Sequence, residues 1–213
     1  EETLRELLPA LAKSGPNRLH AVCGVAFRGE SGRVVTTPER SRLPDRDSLP
    51  FPDREAIDHT LYLDAWRQHH GAGSINLITA RGCPYKCTWC SHAVFGFTHR
   101  RRSPRNAADE VEAIRSRYNP EQLWYADDVF TMSHSWLFAF NEELKRRNRK
   151  IPFETISRAD RMMKDEVLGA LAEMGCYRIW IGSESGSQRI LDAMKRGVTT
   201  DEVDYAVKAA RRH

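Results

Sequence analysis

The sequence of 213 residues lacks an apolar run long enough to span a membrane, and its amino end lacks the basic and then apolar stretch of an export signal. A membrane-spanning helix needs about 18 or more consecutive apolar residues. Low-complexity tracts are also missing. These absences predict a cytoplasmic protein with no membrane partner.

Cysteine is scarce and odd in number, with five residues, three of which fall within eight positions. Such a set is not a disulfide framework, and it indicates thiols that are kept reduced. Charge of one sign is not in excess either, because 33 basic and 29 acidic residues leave a net charge of +4. The basic run at 99–102 is interpreted as a solvated turn, since no interleaved aromatic residues accompany it. We therefore do not expect a nucleic-acid partner.

With 40% apolar residues the chain can bury a core, and its first part predicts a helix, a hairpin and a linker. Thr3 and Glu6 have capping-box spacing ahead of a leucine-rich stretch, which predicts a helix that ends before position 15. Residues 20–27 and 33–37 are rich in β-formers and flank a glycine turn, which predicts a β-hairpin. Residues 38–54 contain four prolines and predict a linker.

From about residue 74 short apolar runs alternate with helical periods, which is typical of βα units around a parallel sheet. The predicted strands are 75–79, 122–125, 153–156 and 177–181. Ser133 and Thr199 are predicted to cap helices, and Trp124, Phe138 and Trp180 are interpreted as core residues. Because four strands do not close a barrel and the first residue is not methionine, we expect the chain to be a piece of a longer protein. The predicted fold class is α/β, a partial βα barrel of about four units.

The three clustered cysteines are Cys83, Cys87 and Cys90. A zinc site is one interpretation, but it needs a fourth ligand, and the nearby His92 and His99 do not supply the usual paired spacing. Thiolates also suit iron and sulfide, and three of them would leave one iron of a four-iron cluster open. An open iron would allow the cluster to bind a substrate.

A CxxxCxxC motif directly after the first strand of a βα sheet resembles the radical S-adenosylmethionine (radical SAM) superfamily. In that family the cysteines hold a 4Fe-4S cluster, and S-adenosylmethionine chelates the open iron. One electron cleaves the sulfonium, and the released 5′-deoxyadenosyl radical abstracts hydrogen. The residue before the third cysteine is usually aromatic, and here it is Trp89. The resemblance implies a small-molecule or peptide substrate and an electron donor such as flavodoxin or ferredoxin.

The ends of the later strands carry further residues that the resemblance assigns to S-adenosylmethionine. Asp127, in YADDVFT, is predicted to contact its ammonium, although related enzymes often have Gly-Gly-Glu there; a solvated loop or helix cap is the alternative. Ser157 and Arg158 follow the third strand, and Arg158 suits the cofactor carboxylate or else a structural ion pair. Glu184, in IGSESGS, is predicted to help hold the cofactor.

The stretch IGSESGSQRILDAMKRG resembles the cobalamin-dependent branch of that superfamily and its methylthiotransferase relatives. The linker LPDRDSLPFPDREAID favours the cobalamin branch. This resemblance implies that residues 1–70 connect an upstream cobalamin-binding domain to a partial radical SAM barrel at 71–213, with cobalamin itself bound outside this chain. The predicted function is methyl transfer or related radical chemistry. A methylthiotransferase and a non-enzymatic zinc or iron-sulfur module are the alternatives.

Overall fold

The computed structural model describes residues 2–41, 43, 45–91 and 95–213. Within it the chain divides into two compact units, Glu1–Pro44 and Asp45–His213. In the described residues no helix has both the length and the apolar character to cross a membrane.

The first unit contains the predicted helix and hairpin. Its elements are helix α1 (Glu2–Ser14), a 3-10 helix (Gly15–Ala21), and the antiparallel strands β1 (Ala26–Arg28) and β2 (Val34–Thr36). The predicted capping box is wrong, because Thr3 and Glu6 lie inside α1 and accept hydrogen bonds from the Arg40 guanidinium, each at 3.1 Å. The first predicted strand is also shorter than expected, so Cys23 lies outside it.

The second unit holds the sheet. Its elements are α2 (His59–His70), β3 (Ser74–Leu77), β4 (Ala80–Arg81), β5 (Arg100–Arg101), α3 (Pro104–Tyr118), β6 (Gln122–Tyr125), α4 (His134–Arg146), β7 (Phe153–Ser157), α5 (Asp165–Met174), β8 (Cys176–Ile181), α6 (Gln188–Ala193) and α7 (Thr200–Ala210). Strands β3, β6, β7 and β8 pair in that order, and every pairing is parallel. The predicted α/β architecture with a parallel sheet is therefore confirmed.

One face of this sheet carries the core. Leu123 of β6 and Phe153 of β7 are almost fully buried among residues of α3, α4 and α5. Side chains alternate between the two faces of a strand, and in β8 Ile179 and Ile181 pack against this core. Trp180 points to the other face and is 52% exposed, so its predicted core position is wrong.

The two predicted helix caps of the second unit, at Ser133 and Thr199, are confirmed. The Ser133 hydroxyl accepts from the backbone N–H of Trp136 at 3.3 Å, and Thr199 forms a capping box with Glu202. Gly175 ends α5 in the left-handed conformation, with φ of 102°. These local signals work because capping depends on residues that are neighbours in the sequence.

Two features of the second unit were not predicted. Helix α2 begins after Asp58, whose carboxylate accepts from the N–H of Thr60 at 2.9 Å. Among the described residues of α2 only Leu63 is buried, so the helix has a weak apolar periodicity in the sequence. Strands β4 and β5 have two residues each and pair antiparallel. Segments this short carry no recognisable pattern, yet they position the site described next.

Candidate functional site

The cysteine loop, defined here as residues 82–99, leaves β4 and returns through β5. Gly82 lies at its start with φ of +86°. A Cβ atom at this position would lie 2.1 Å from the carbonyl oxygen of Thr98. Only glycine permits both this conformation and this close approach. The loop is thus closed tightly at its base.

Asp127, which follows β6, anchors that base. Its Oδ1 accepts from the backbone N–H groups of Thr79 at 2.6 Å and Ala80 at 2.9 Å, and its Oδ2 accepts from Arg101 at 2.6 Å. The Thr79 hydroxyl also donates to Oδ2, and Asp127 is fully buried. Four donors satisfy the acceptor capacity of a carboxylate. The structure therefore does not bring Asp127 into the candidate site, and its predicted contact with a cofactor ammonium is not supported.

The other predicted site residues meet in one cavity of about 420 Å³ at the carboxyl ends of β6, β7 and β8. Its volume is typical of small-molecule sites. This cysteine cavity is lined by residues that include Cys83, Tyr85, Cys87, Trp89, Cys90, Asp128, Ser157, Arg158, Gly182, Glu184 and Arg196. Asp128 lines it in place of its neighbour Asp127. Distant parts of the sequence converge here because parallel strands end at the same edge of the sheet.

The three thiols differ in their surroundings. Cys87 is buried, Cys83 is half-buried and Cys90 is exposed. Burial raises the pKa of the Cys83 thiol, and Asp128 adds to that rise while Arg158 opposes it. Loss of water contact also raises the pKa of Cys90, and Arg196 opposes that rise. A metal that binds the Cys83 and Cys90 sulfurs must therefore displace protons.

Arg158 is a fully buried cation in the cavity wall. Its Nε donates to Asp160 at 2.8 Å, and its Nη2 donates to the carbonyl oxygen of Arg196 at 2.8 Å. Its guanidinium stacks on the Tyr85 ring, 3.6 Å from the ring centre, and Nη1 lies 3.9 Å from the Cys87 sulfur. Arg158 is therefore in an ion pair, but its partner is two residues further along the same segment and not on a neighbouring strand end.

Arg196 is a site residue that the sequence interpretation missed. Its Nε and Nη2 donate to the carbonyl oxygen of Gly182 at 3.2 and 2.6 Å, and its Nη1 lies 3.6 Å from the Cys87 sulfur. A Cβ on Gly182 would lie 2.5 Å from Nη2, so the glycine makes room for the guanidinium. Arg196 lies in the stretch IGSESGSQRILDAMKRG, but nothing in the local sequence indicates that its side chain reaches the cysteine loop.

Glu184 occupies a conformation that is unusual for a residue with a side chain. Its φ is +62°, and its carboxylate oxygen lies 3.8 Å from Arg196 Nη2. Left-handed backbone at a non-glycine residue is costly and is concentrated at functional sites. The strain is consistent with a requirement for this carboxylate in the cavity.

The zinc interpretation would need a fourth ligand near the cysteines. His92 lies outside the described residues, and His99 does not line the cysteine cavity. Within the described ranges no group of three or more His, Cys, Asp and Glu side chains is gathered at metal-binding distance. This includes the three thiols, which line one cavity without lying at the distances that a single metal ion requires.

His99 should make stability depend on pH. Burial, with a contribution from Arg101, lowers its pKa to about 4. Unfolded histidine has a pKa of about 6.5, so stability is lost as the pH falls from about 6.5 towards 4, because the unfolded chain binds a proton that the folded chain does not. We expect urea unfolding between pH 7.5 and 5 to show a smaller loss for His99→Gln than for the wild type. The exposed His69→Gln is the control, and equal slopes for all three proteins would contradict the assignment.

The parallel sheet and the three-thiol cavity at its carboxyl edge define an α/β protein with a site suited to a metal cluster. The chain belongs to the radical SAM superfamily, whose family model matches residues 77–213. The predicted superfamily is therefore confirmed.

Individual relatives agree with this placement. An uncharacterised methyltransferase of Pyrococcus horikoshii is 28% identical over 213 residues, which cover all of this chain and 44% of the relative. Cytidylyl-2-hydroxyethylphosphonate methyltransferase of Streptomyces wedmorensis is 29% identical over 221 residues, covering 89% of this chain and 40% of the relative. The chain thus spans less than half the length of these relatives.

Solved structures share the fold. Two structures of the cobalamin-dependent S-adenosylmethionine radical enzyme OxsB match with TM-scores of 0.82 and 0.80 and identities of 24% and 25%. Each match covers 98% of this chain and 30% of OxsB. The fold of the described sheet is therefore that of part of a radical SAM protein.

The residues of the cysteine cavity fit the cofactors that the superfamily implies. Three thiols of a kind that binds iron and sulfide line the cavity. The carboxylates of Glu184 and Asp128 line the same space and could accept from an ammonium group. The cavity therefore has thiol ligands for a cluster and carboxylate acceptors for the ammonium group of S-adenosylmethionine.

Proposed function

We propose that this protein is a cobalamin-dependent radical SAM enzyme that carries out methyl transfer or related radical chemistry on a small-molecule or peptide substrate. The observation that carries the proposal is that Cys83, Cys87 and Cys90 line one cavity together with polar residues at the carboxyl ends of the strands. The names of the two relatives as methyltransferases, and of OxsB as cobalamin-dependent, support the reaction class.

The chain's own residues bind and orient in this proposal. Cys83, Cys87 and Cys90 hold a 4Fe-4S cluster, which when reduced supplies the electron that cleaves the sulfonium of S-adenosylmethionine. Glu184 accepts from the ammonium of S-adenosylmethionine, and Trp89 covers the exposed side of the cavity. The cavity walls keep water and stray hydrogen donors away from the reacting centre.

Three residues at the carboxyl ends of the strands have other roles. Asp128, whose backbone position follows β6 directly after Asp127, supplies an acidic group at the cavity. Ser157 lines the cavity but is almost fully buried, and its hydroxyl shares a hydrogen bond with Thr131. We assign Arg158 to holding the site together, because its guanidinium is committed to Asp160 and the Arg196 carbonyl.

The proposed function also requires cobalamin and an electron donor. We propose that cobalamin binds to a part of the protein other than these 213 residues, and that a low-potential donor such as flavodoxin or ferredoxin supplies the electron. Both proposals rest on the family and on the names of the relatives.

Anaerobic reconstitution with iron and sulfide tests the function. We expect about four irons per chain, three held by cysteines and one open, and a change in the electron paramagnetic resonance spectrum of the reduced cluster when S-adenosylmethionine is added. Glu184→Gln keeps the shape but removes the charge, and it should weaken S-adenosylmethionine binding by about tenfold or more, since hydrogen bonds to charged groups contribute about 1.5–3 kcal/mol.

Iron content should be unchanged in Glu184→Gln, which separates cofactor binding from cluster binding. A spectrum that does not respond to S-adenosylmethionine would favour an electron-transfer module instead. Zinc without iron after reconstitution would favour a structural metal site.

A further inference from the structure

Two arginine side chains converge on one cysteine sulfur. Nη1 of Arg196 lies 3.6 Å from Cys87 Sγ, and Nη1 of Arg158 lies 3.9 Å from the same atom. Cys87 is 4% exposed, and Arg158 and Arg196 are 1% and 8% exposed. Charges this well buried interact more strongly than charges in water, because little solvent screens them.

The Arg158 charge is held in place by contacts on both sides. Asp160 accepts from its Nε, and the carbonyl oxygen of Arg196 accepts from its Nη2. The Tyr85 ring, which belongs to the cysteine loop, covers one face of the guanidinium at 3.6 Å. A guanidinium with this many partners loses little freedom when it also contacts a sulfur.

The Arg196 guanidinium has further contacts of its own. Two N–H groups of the Arg196 guanidinium donate to the carbonyl oxygen of Gly182, which lies just beyond the end of β8. The backbone N–H of Thr88 donates to the carbonyl oxygen of Met194 at 2.9 Å, which ties the cysteine loop to the segment that carries Arg196. The sulfur and the guanidinium are thus held against each other by backbone contacts.

We propose that Arg158 and Arg196 raise the reduction potential of the cluster through Cys87. This inference rests on the proposed function, since it requires the cluster. Reduction adds one electron, and therefore one negative charge, to the cluster and its three thiolates, with no bond formed or broken. N–H donors and fixed positive charge at a sulfur ligand stabilise the reduced form more than the oxidised form. Both arginines act on the cluster indirectly, because each places its positive charge against the sulfur of Cys87.

The test is the midpoint potential of the reconstituted protein, measured without S-adenosylmethionine by stepwise reduction with dithionite and redox mediators. Arg196→Gln and Arg158→Gln should each lower the equilibrium constant for reduction about tenfold, which is about 59 mV for a one-electron couple. Arg196→Lys should recover part of the shift, because it restores the charge without the planar fork.

Arg161→Gln is the matched control. Its guanidinium contacts the Tyr85 hydroxyl at 2.5 Å, and its removal changes the net charge by the same amount, but the contacts with Cys87 come from the other two arginines. We expect its potential to stay at the wild-type value. A shift equal to that of Arg196→Gln would show a general charge effect and overturn the inference.

The remaining outcomes also decide the matter. Wild-type potentials in Arg158→Gln and Arg196→Gln with full iron content would overturn the inference and leave the proposed function intact. If Arg158→Gln does not hold iron, Arg196→Gln alone decides. Loss of iron from both variants, with Arg161→Gln loaded, would show a structural role and count against the inference. Failure of the wild type to bind iron would instead overturn the proposed function.

Discussion

Cys87→Ala is expected to lose the iron-sulfur cluster completely and, with it, all cleavage of S-adenosylmethionine. Cys87 is the buried member of the three cysteines and the one that both arginines contact. The variant would leave two thiolates, and water cannot easily replace the third ligand at this buried position. Iron and sulfide analysis after anaerobic reconstitution, together with an assay for 5′-deoxyadenosine, measures both losses.

Cys176→Ala is the matched control for that substitution. Cys176 begins β8, and burial raises the pKa of its thiol to about 12. A thiol with so high a pKa is a poor metal ligand at neutral pH, and the residue does not line the cysteine cavity. We expect Cys176→Ala to keep its iron and its activity. Full iron content in Cys87→Ala would contradict the assignment of the cluster to this cavity.

Asp127→Ala is expected to lower the free energy of unfolding by about 3–5 kcal/mol, the usual cost of removing one partner from a buried ion pair. Its Arg101 partner has a side chain that is 6% exposed, and this cation would remain buried without its carboxylate. The backbone N–H groups of Thr79 and Ala80 would lose an acceptor in the same place. Urea unfolding of the two proteins measures the difference.

The neighbouring Asp128→Ala separates anchoring from binding. Asp128 is exposed and lines the cysteine cavity, so its removal should cost less stability than the removal of the buried Asp127, because water screens the interactions of an exposed charge. Its effect should fall instead on the affinity for S-adenosylmethionine. The reverse pattern, with Asp128 important for stability and Asp127 for affinity, would support the prediction made from the sequence.

The exchange of roles between the two aspartates has a simple physical cause. Asp127 is buried against the donors at the base of the cysteine loop, whereas its neighbour Asp128 is exposed and lines the cavity. The sequence shows the two adjacent aspartates but does not show which hydrogen-bond donors lie near each of them. Here the inner side holds Thr79, Ala80 and Arg101, and the four hydrogen bonds from them decide the position of Asp127.

Several elements follow directly from local patterns in the sequence. The strand predicted at 122–125 has those bounds in the structure, and the caps at Ser133 and Thr199 are where they were expected. Helix α2 and strands β4 and β5 were missed because the helix buries little and the strands are two residues long. Trp180 was assigned to the core because an apolar run does not show which face of a strand the core covers.

The sequence by itself determined the four strands of the parallel sheet, the helices between them and the spacing of the three cysteines, because these depend on residues that are close together along the chain. Only the tertiary structure decided that Asp127 anchors the loop, that Arg158 pairs with Asp160, and that Arg196 reaches Cys87. The Asp127 contact joins residues 48 positions apart, and the Arg196 contact joins residues 109 positions apart. No local pattern records such contacts, since they arise when the carboxyl ends of parallel strands meet at one edge of the sheet.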